Sequence, residues 1–96
     1  MKQQSKYFLH PTEVSALQPV FDATGRITEW GLTVTFNNQN IEPPHAKGAR
    51  VTAKVLDGKI LAEYKFSESV LNEGIQKAWN FREAILKQIA RQNSER

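Results

Sequence analysis

Residues 50–66 read RVTAKVLDGKILAEYKF, and this stretch decides the fold. Asp57-Gly58 is a two-residue hairpin signal, because a type I′ turn needs positive φ at both central positions. Glycine takes that conformation freely and aspartate tolerates it. A loop at 57–58 pairs Val55 with Ile60, Ala53 with Ala62 and Val51 with Tyr64, all on one face. Lys54 then meets Leu61, Thr52 meets Glu63 and Arg50 meets Lys65 on the other. A slip of one residue would scramble both faces, so the alternation itself sets the register.

Outward from this hairpin, Trp30, Leu32, Val34 and Phe36 alternate with Glu29, Gly31, Thr33 and Thr35. That is the period and composition of a half-buried strand. The segment Asp22 to Arg26, DATGR, reads as a three-residue hairpin loop with a left-handed Gly25, which pairs Asp22 with Arg26. It sets Val14, Ala16 and Val20 opposite Val34, Leu32 and Thr28, with Gln18 opposite Trp30. Pro19 confines this strand to a sheet edge. A short helix over residues 13–18, capped by Thr12, is the competing reading, and Pro19 would have to end it.

Residues 37–48, NNQNIEPPHAKG, form a polar loop longer than most connections. After the central hairpin, Ser67 or Ser69 can cap a helix running to about Gln92. Its apolar side carries Leu71, Ile75, Ala78, Ile85, Leu86 and Ile89, flanked by Phe81 and Trp79. Gly74 lies beside that stripe, where it permits close approach to the sheet. The arc is about 160° wide, more than the usual minimum. Arg82 falls inside it and must reach an edge or find a partner.

The expectation is an α+β fold: a four-stranded antiparallel sheet made of two hairpins in sequence, all strands in hairpin order, then one long C-terminal helix packed on one face. Residues 1–6 are expected to be a flexible tail, 7–92 the single domain and 93–96 a frayed end. Tyr7, Phe8 and Leu9 are candidates to cover part of the helix. At 96 residues the chain supports one small core.

With no cysteine, disulfide and thiolate chemistry are excluded. No apolar run approaches the length of a membrane span, and the N-terminus lacks a signal-peptide core, so a cytoplasmic protein with no membrane partner is expected. His10 and His45 are isolated, each beside or near proline. No carboxylate pair, metal-ligand spacing or nucleophile motif is present. No enzyme activity, cofactor or metal is expected.

Charge points elsewhere. Lys47, Arg50, Lys54, Lys59 and Lys65 stand in or beside the central hairpin against Asp57 and Glu63 only; five minus two equals the net charge of +3. A basic face on an antiparallel sheet could contact phosphates, so nucleic-acid binding through these five residues is one expectation. Its outer face lacks aromatic platforms, since Tyr64, Trp30 and Phe66 fall on the buried side. Residues 42–90 resemble the middle of a double-stranded-RNA-binding domain in their order of loop, hairpin and helix. Glu68 and Glu73, however, stand where that family opens its last helix with lysines, and no family is assigned. The other expectation is a protein-interaction or inhibitor module using the sheet edge and the 37–48 loop. What separates the two is whether the basic residues form one patch or are neutralised by Glu29, Glu42 and Glu63. The wide helix arc adds a homodimer contact through Trp79, Arg82 and Leu86.

Overall fold

A computed structural model describes residues 10–94. The expectations for residues 1–6 and for Tyr7, Phe8 and Leu9 lie outside the described residues. The elements in order are β1 (Pro11–Val14), β2 (Gln18–Phe21), β3 (Ile27–Phe36), β4 (Ala49–Leu56), β5 (Lys59–Ser67) and α1 (Glu73–Ser94). All strand pairs are antiparallel, and the fold is α+β, an antiparallel sheet followed by one C-terminal helix. The sheet has five strands rather than four, because the first strand is broken in two, with β1 and β2 both pairing with β3.

The central hairpin has the expected register throughout, from Val55 opposite Ile60 to Arg50 opposite Lys65. Asp57 (φ 52°) and Gly58 (φ 76°) give its turn the two positive φ values of type I′.

The first hairpin departs from expectation in an informative way. Its loop forms as read: the Asp22 amide donates to the Arg26 carbonyl at 2.9 Å, and Gly25 has φ 87°. The Asp22 carboxylate accepts from the Thr24 hydroxyl (2.7 Å) and from the amides of Thr24 (2.8 Å) and Arg26 (3.0 Å). Those bonds, the Thr24 hydroxyl first, hold its pKa below the ordinary carboxylate value. Beyond the loop a register shift follows Phe21, so Pro19 meets Trp30 and Gln18 meets Gly31. The expected pairings of Gln18 with Trp30 and of Val20 with Thr28 are thereby corrected, since Val20 meets Glu29, and Ala16, expected opposite Leu32, lies between the two short strands. The bulge turns the polar Gln18 side chain off the core face. The break at residues 15–17 restores the expected register, with Val14 opposite Val34. At the break the Ser15 hydroxyl accepts from the Thr33 amide at 2.9 Å. The Ser15 carbonyl is left to accept from Arg82 Nε at 2.7 Å. Pro19 sits on an edge strand, as its missing N–H requires.

The strand order across the sheet also differs from hairpin order. It runs β1/β2, β3, β5, β4, so the second hairpin docks on β3 through its return strand. Trp30, Leu32, Val34 and Phe36 lie opposite Phe66, Tyr64, Ala62 and Ile60. These side chains, Trp30 apart, are buried, and Ala78 and Ile85 of α1 close the core over them. The β3 and β4 strands therefore run parallel, and residues 37–48 must travel the length of the sheet between them. This accounts for the length of the loop. It crosses on the helix side, where Tyr64 Oη donates to the Pro44 carbonyl at 2.8 Å. Ile41 and Ala46 pack against the core.

The helix begins later than the serine caps suggest. β5 stays paired as far as Ser67, opposite Glu29, and the Glu68 amide still donates to the Thr28 carbonyl at 2.9 Å. The Glu68 carboxylate provides the N-terminal cap instead, accepting from the Ile75 amide at 3.0 Å. Leu71, assigned to the apolar stripe from sequence, precedes the helix and is 87% exposed. The buried stripe is Gly74, Ala78 and Ile85. Phe81 lies over Tyr64 and Phe66, at ring-centroid distances of 4.5 and 5.9 Å. At the other end Gln92 Nε2 donates to the Pro11 carbonyl at 2.9 Å. The helix thus runs from the end of β5 toward the start of β1. It packs on β1, β3 and β5 and leaves β4 uncovered.

Candidate functional site

The site follows from that diagonal. A two-residue hairpin turn is flanked by a pair that exchanges both of its hydrogen bonds. Leu56 and Lys59 flank this turn, so Leu56, Lys54, Thr52 and Arg50 aim their amides and carbonyls at β5. Ala49, Val51, Ala53 and Val55 aim theirs outward. The Ala49 amide is taken by the Ala46 carbonyl at 3.0 Å. Among the described residues nothing pairs with the outward groups of Val51, Ala53 and Val55, because β4 has only β5 as a neighbour. Their side chains point to the helix side of the sheet; Val51 is half-buried against the core, but Ala53 is exposed and Val55 is 56% exposed. Leu56, on the other face, is 52% exposed. The strand is a free edge with an open apolar flank beside the 37–48 loop.

The structure brings four of the five basic residues named from sequence onto one face. Arg50, Lys54, Lys59 and Lys65 share the face opposite the helix. Lys47 stands in the turn before β4. Glu13, Glu29 and Glu63 occupy the same face as the four, so four cations against three carboxylates leave an excess of one. Arg50 Nη1 is 3.1 Å from Glu29, and Lys65 Nζ is 3.1 Å from Glu63. Lys54 and Lys59 make no ion pair among the described residues. Glu42 takes no part in the neutralisation.

The three residues named as a dimer contact all lie on α1. Arg82 reaches across to the Ser15 carbonyl and holds the break between β1 and β2. Its guanidinium also lies 5.9 Å from the ring centre of Trp79, which is itself 48% exposed. Leu86 is half-buried.

Sequence reasoning missed Ala53, Val55 and Leu56 as exposed edge residues, because it placed β4 inside the sheet. A signal was available. The inward residues of β4 are Ala49, Val51, Ala53 and Val55, whereas those of β5 are Ile60, Ala62, Tyr64 and Phe66. The bulkier set belongs under the helix. A second exposed area is an open cleft of about 740 Å³ between the first hairpin loop and the β5–α1 connection, lined by Phe21, Arg26, Trp30, Glu68 and Leu71 among others. Its carboxylates are already engaged: Asp22 holds the turn and Glu68 caps the helix.

Among the described residues no group of three or more His, Asp or Glu could hold a metal ion. No helix is long and apolar enough to cross a membrane. No family model matches the chain, and no curated protein or solved structure matches it.

Proposed function

We propose that this protein is an interaction module that receives a partner chain along the free edge of β4, beside the 37–48 loop. The observation that carries the reading is the edge that no described residue covers: three successive outward-facing backbone positions, Val51, Ala53 and Val55, with an apolar flank at Ala53 and Val55 that the helix leaves open. Natural sheets cover or blunt such edges, and addition of a strand to an open edge is a recurrent mode of peptide recognition. The basic face supports nucleic-acid binding less well, because its cations are interleaved with Glu13, Glu29 and Glu63 and two of them are ion-paired.

The test is selection of binders from a displayed random-peptide library, repeated on Ala53→Pro. That substitution removes an N–H that points to solvent and leaves the ladder to β5 intact. The folded spectrum should be retained. Selected peptides should protect the amides of Val51, Ala53 and Val55 from exchange, and Ala53→Pro should abolish their binding. Binders that tolerate Ala53→Pro would overturn the reading. So would tight binding of oligonucleotides at low salt with no effect at these amides.

A further inference from the structure

The side chains along the β4 edge specify the chemistry of what fits it. β4 presents two different flanks. Toward the helix side it offers Ala53 and Val55, exposed and apolar. On the opposite face it offers Lys54, exposed and in no ion pair among the described residues, between Thr52 and Leu56; Lys59, also exposed and without an ion pair among them, stands diagonally behind it on β5. A strand added at 4.7–4.9 Å from β4 would place alternate side chains on these two flanks. We infer that the β4 edge accepts an extended partner segment in which acidic residues alternate with apolar ones, a carboxylate beside Lys54 and the apolar side chains beside Ala53 and Val55. This rests on the edge reading of the preceding section.

A second copy of the same strand fits the edge less well. β4, ARVTAKVL, contains no carboxylate, so a copy has nothing to offer Lys54. In an antiparallel self-pairing centred on Thr52, Arg50 of each strand faces Lys54 of the other, and like charges directly opposite are unfavourable. Centred on Ala53, each Lys54 faces Thr52 and the two lysines stand diagonally across the axis. An acidic segment meets both flanks, and Lys54, which disfavours self-pairing, selects for it.

The test uses the full chain, isotopically labelled, titrated with three synthetic peptides in which valine alternates with glutamate, threonine or lysine. The glutamate peptide should bind up to about fivefold tighter than the threonine peptide, the upper end of the scale of a favourable cross-strand charge pair. It should protect the amides of Val51, Ala53 and Val55. Lys54→Glu, at an exposed position, should reverse the order and favour the lysine peptide. If the threonine and glutamate peptides protect those amides equally, the acidic specificity is refuted and the edge reading stands. If no peptide protects them, both fall. A concentration-dependent dimer in sedimentation that Ala53→Pro converts to monomer would show that a second copy occupies the edge, and would overturn the acidic-segment inference.

Discussion

Gly74→Ala should destabilise the protein, against the ordinary rule for helices. In an exposed helix interior the change from glycine to alanine gains about 1 kcal/mol. Here an added Cβ would lie 2.6 Å from the Ser67 carbonyl oxygen, 2.6 Å from Glu68 Oε1 and 2.9 Å from the Ser67 carbonyl carbon. The Ser67 backbone cannot retreat freely, because Ser67 is paired with Glu29 and the next amide is bonded to Thr28. Glu68 cannot swing away without releasing the Ile75 amide that it caps. Overpacking costs about 1–3 kcal/mol and a lost cap adds about 1 kcal/mol. After subtracting the propensity gain, the net loss is about 1–3 kcal/mol, or a fall in Tm of roughly 5–15 °C for a domain of this size. Thermal unfolding followed by circular dichroism measures it. Ala84→Gly, on an exposed part of the same helix, is the control and should cost about 1 kcal/mol through propensity alone. A Gly74→Ala variant that melts above the wild type, with the control behaving as stated, would refute the close packing of the helix start on the end of β5.

Two further outcomes are expected. Gly58→Val should cost about 1–2 kcal/mol, because φ at this position is 76° and a β-branched residue resists the left-handed region. A Cβ there meets nothing within 4 Å, so chemical denaturation would report backbone strain alone, and an unchanged midpoint would exclude the type I′ turn. Burial pushes the Tyr64 phenol above its ordinary value of 10.0. With the folded value above the unfolded one, its contribution to stability is intact below about pH 10 and lost as pH rises beyond it. Tyr64→Phe should lower stability at neutral pH by about 1 kcal/mol through the missing bond to Pro44 and should flatten the alkaline fall, both readable from urea unfolding between pH 7 and 11.

Local features of the fold were legible from sequence and the non-local ones were not. The β4–β5 register follows from Asp57-Gly58 and strict alternation, both short-range, and every expected pair is present. Pro19 on an edge follows equally from one missing donor. The register shift between Val20 and Phe21 breaks no alternation that the sequence shows, and the break at residues 15–17 is held by Arg82, 67 residues away in the chain. The helix start was misplaced because Ser67 and Ser69 are good caps in isolation, whereas pairing with Glu29 keeps Ser67 in the sheet. Leu71 was then counted on a helix that had not begun. For the candidate site, the lysines were visible, but their neutralisation depends on which strands lie side by side. Arg50 reaches Glu29 from across the intervening β5, a contact that hairpin order does not suggest.

The choice of which hairpin strand enters the sheet is the step on which the functional reading turns, and it can be argued from magnitudes. Hairpin order would need only a short turn from β3 into β4. The observed order needs the 12-residue connection of residues 37–48, whose closure costs only about 1–1.5 kcal/mol more, since each doubling of loop length adds about 0.6 kcal/mol. Against that stand Tyr64 and Phe66, now 0% and 1% exposed beneath Phe81. With β4 in the centre they would occupy the place that Val51 and Ala49 hold at the margin of the helix. Burying each fully stabilises by about 1.5–3 kcal/mol, and the aromatic contacts with Phe81 add about 0.5–1.5 kcal/mol each. The alternative would gain only the smaller surfaces of Ala53 and Val55. The balance favours the crossing by several kcal/mol, and its consequence is the open edge. The strand with small inward residues and no carboxylate is the one left outside, so the packing preference that completes the core also leaves the outward backbone groups of Val51, Ala53 and Val55 unpaired among the described residues.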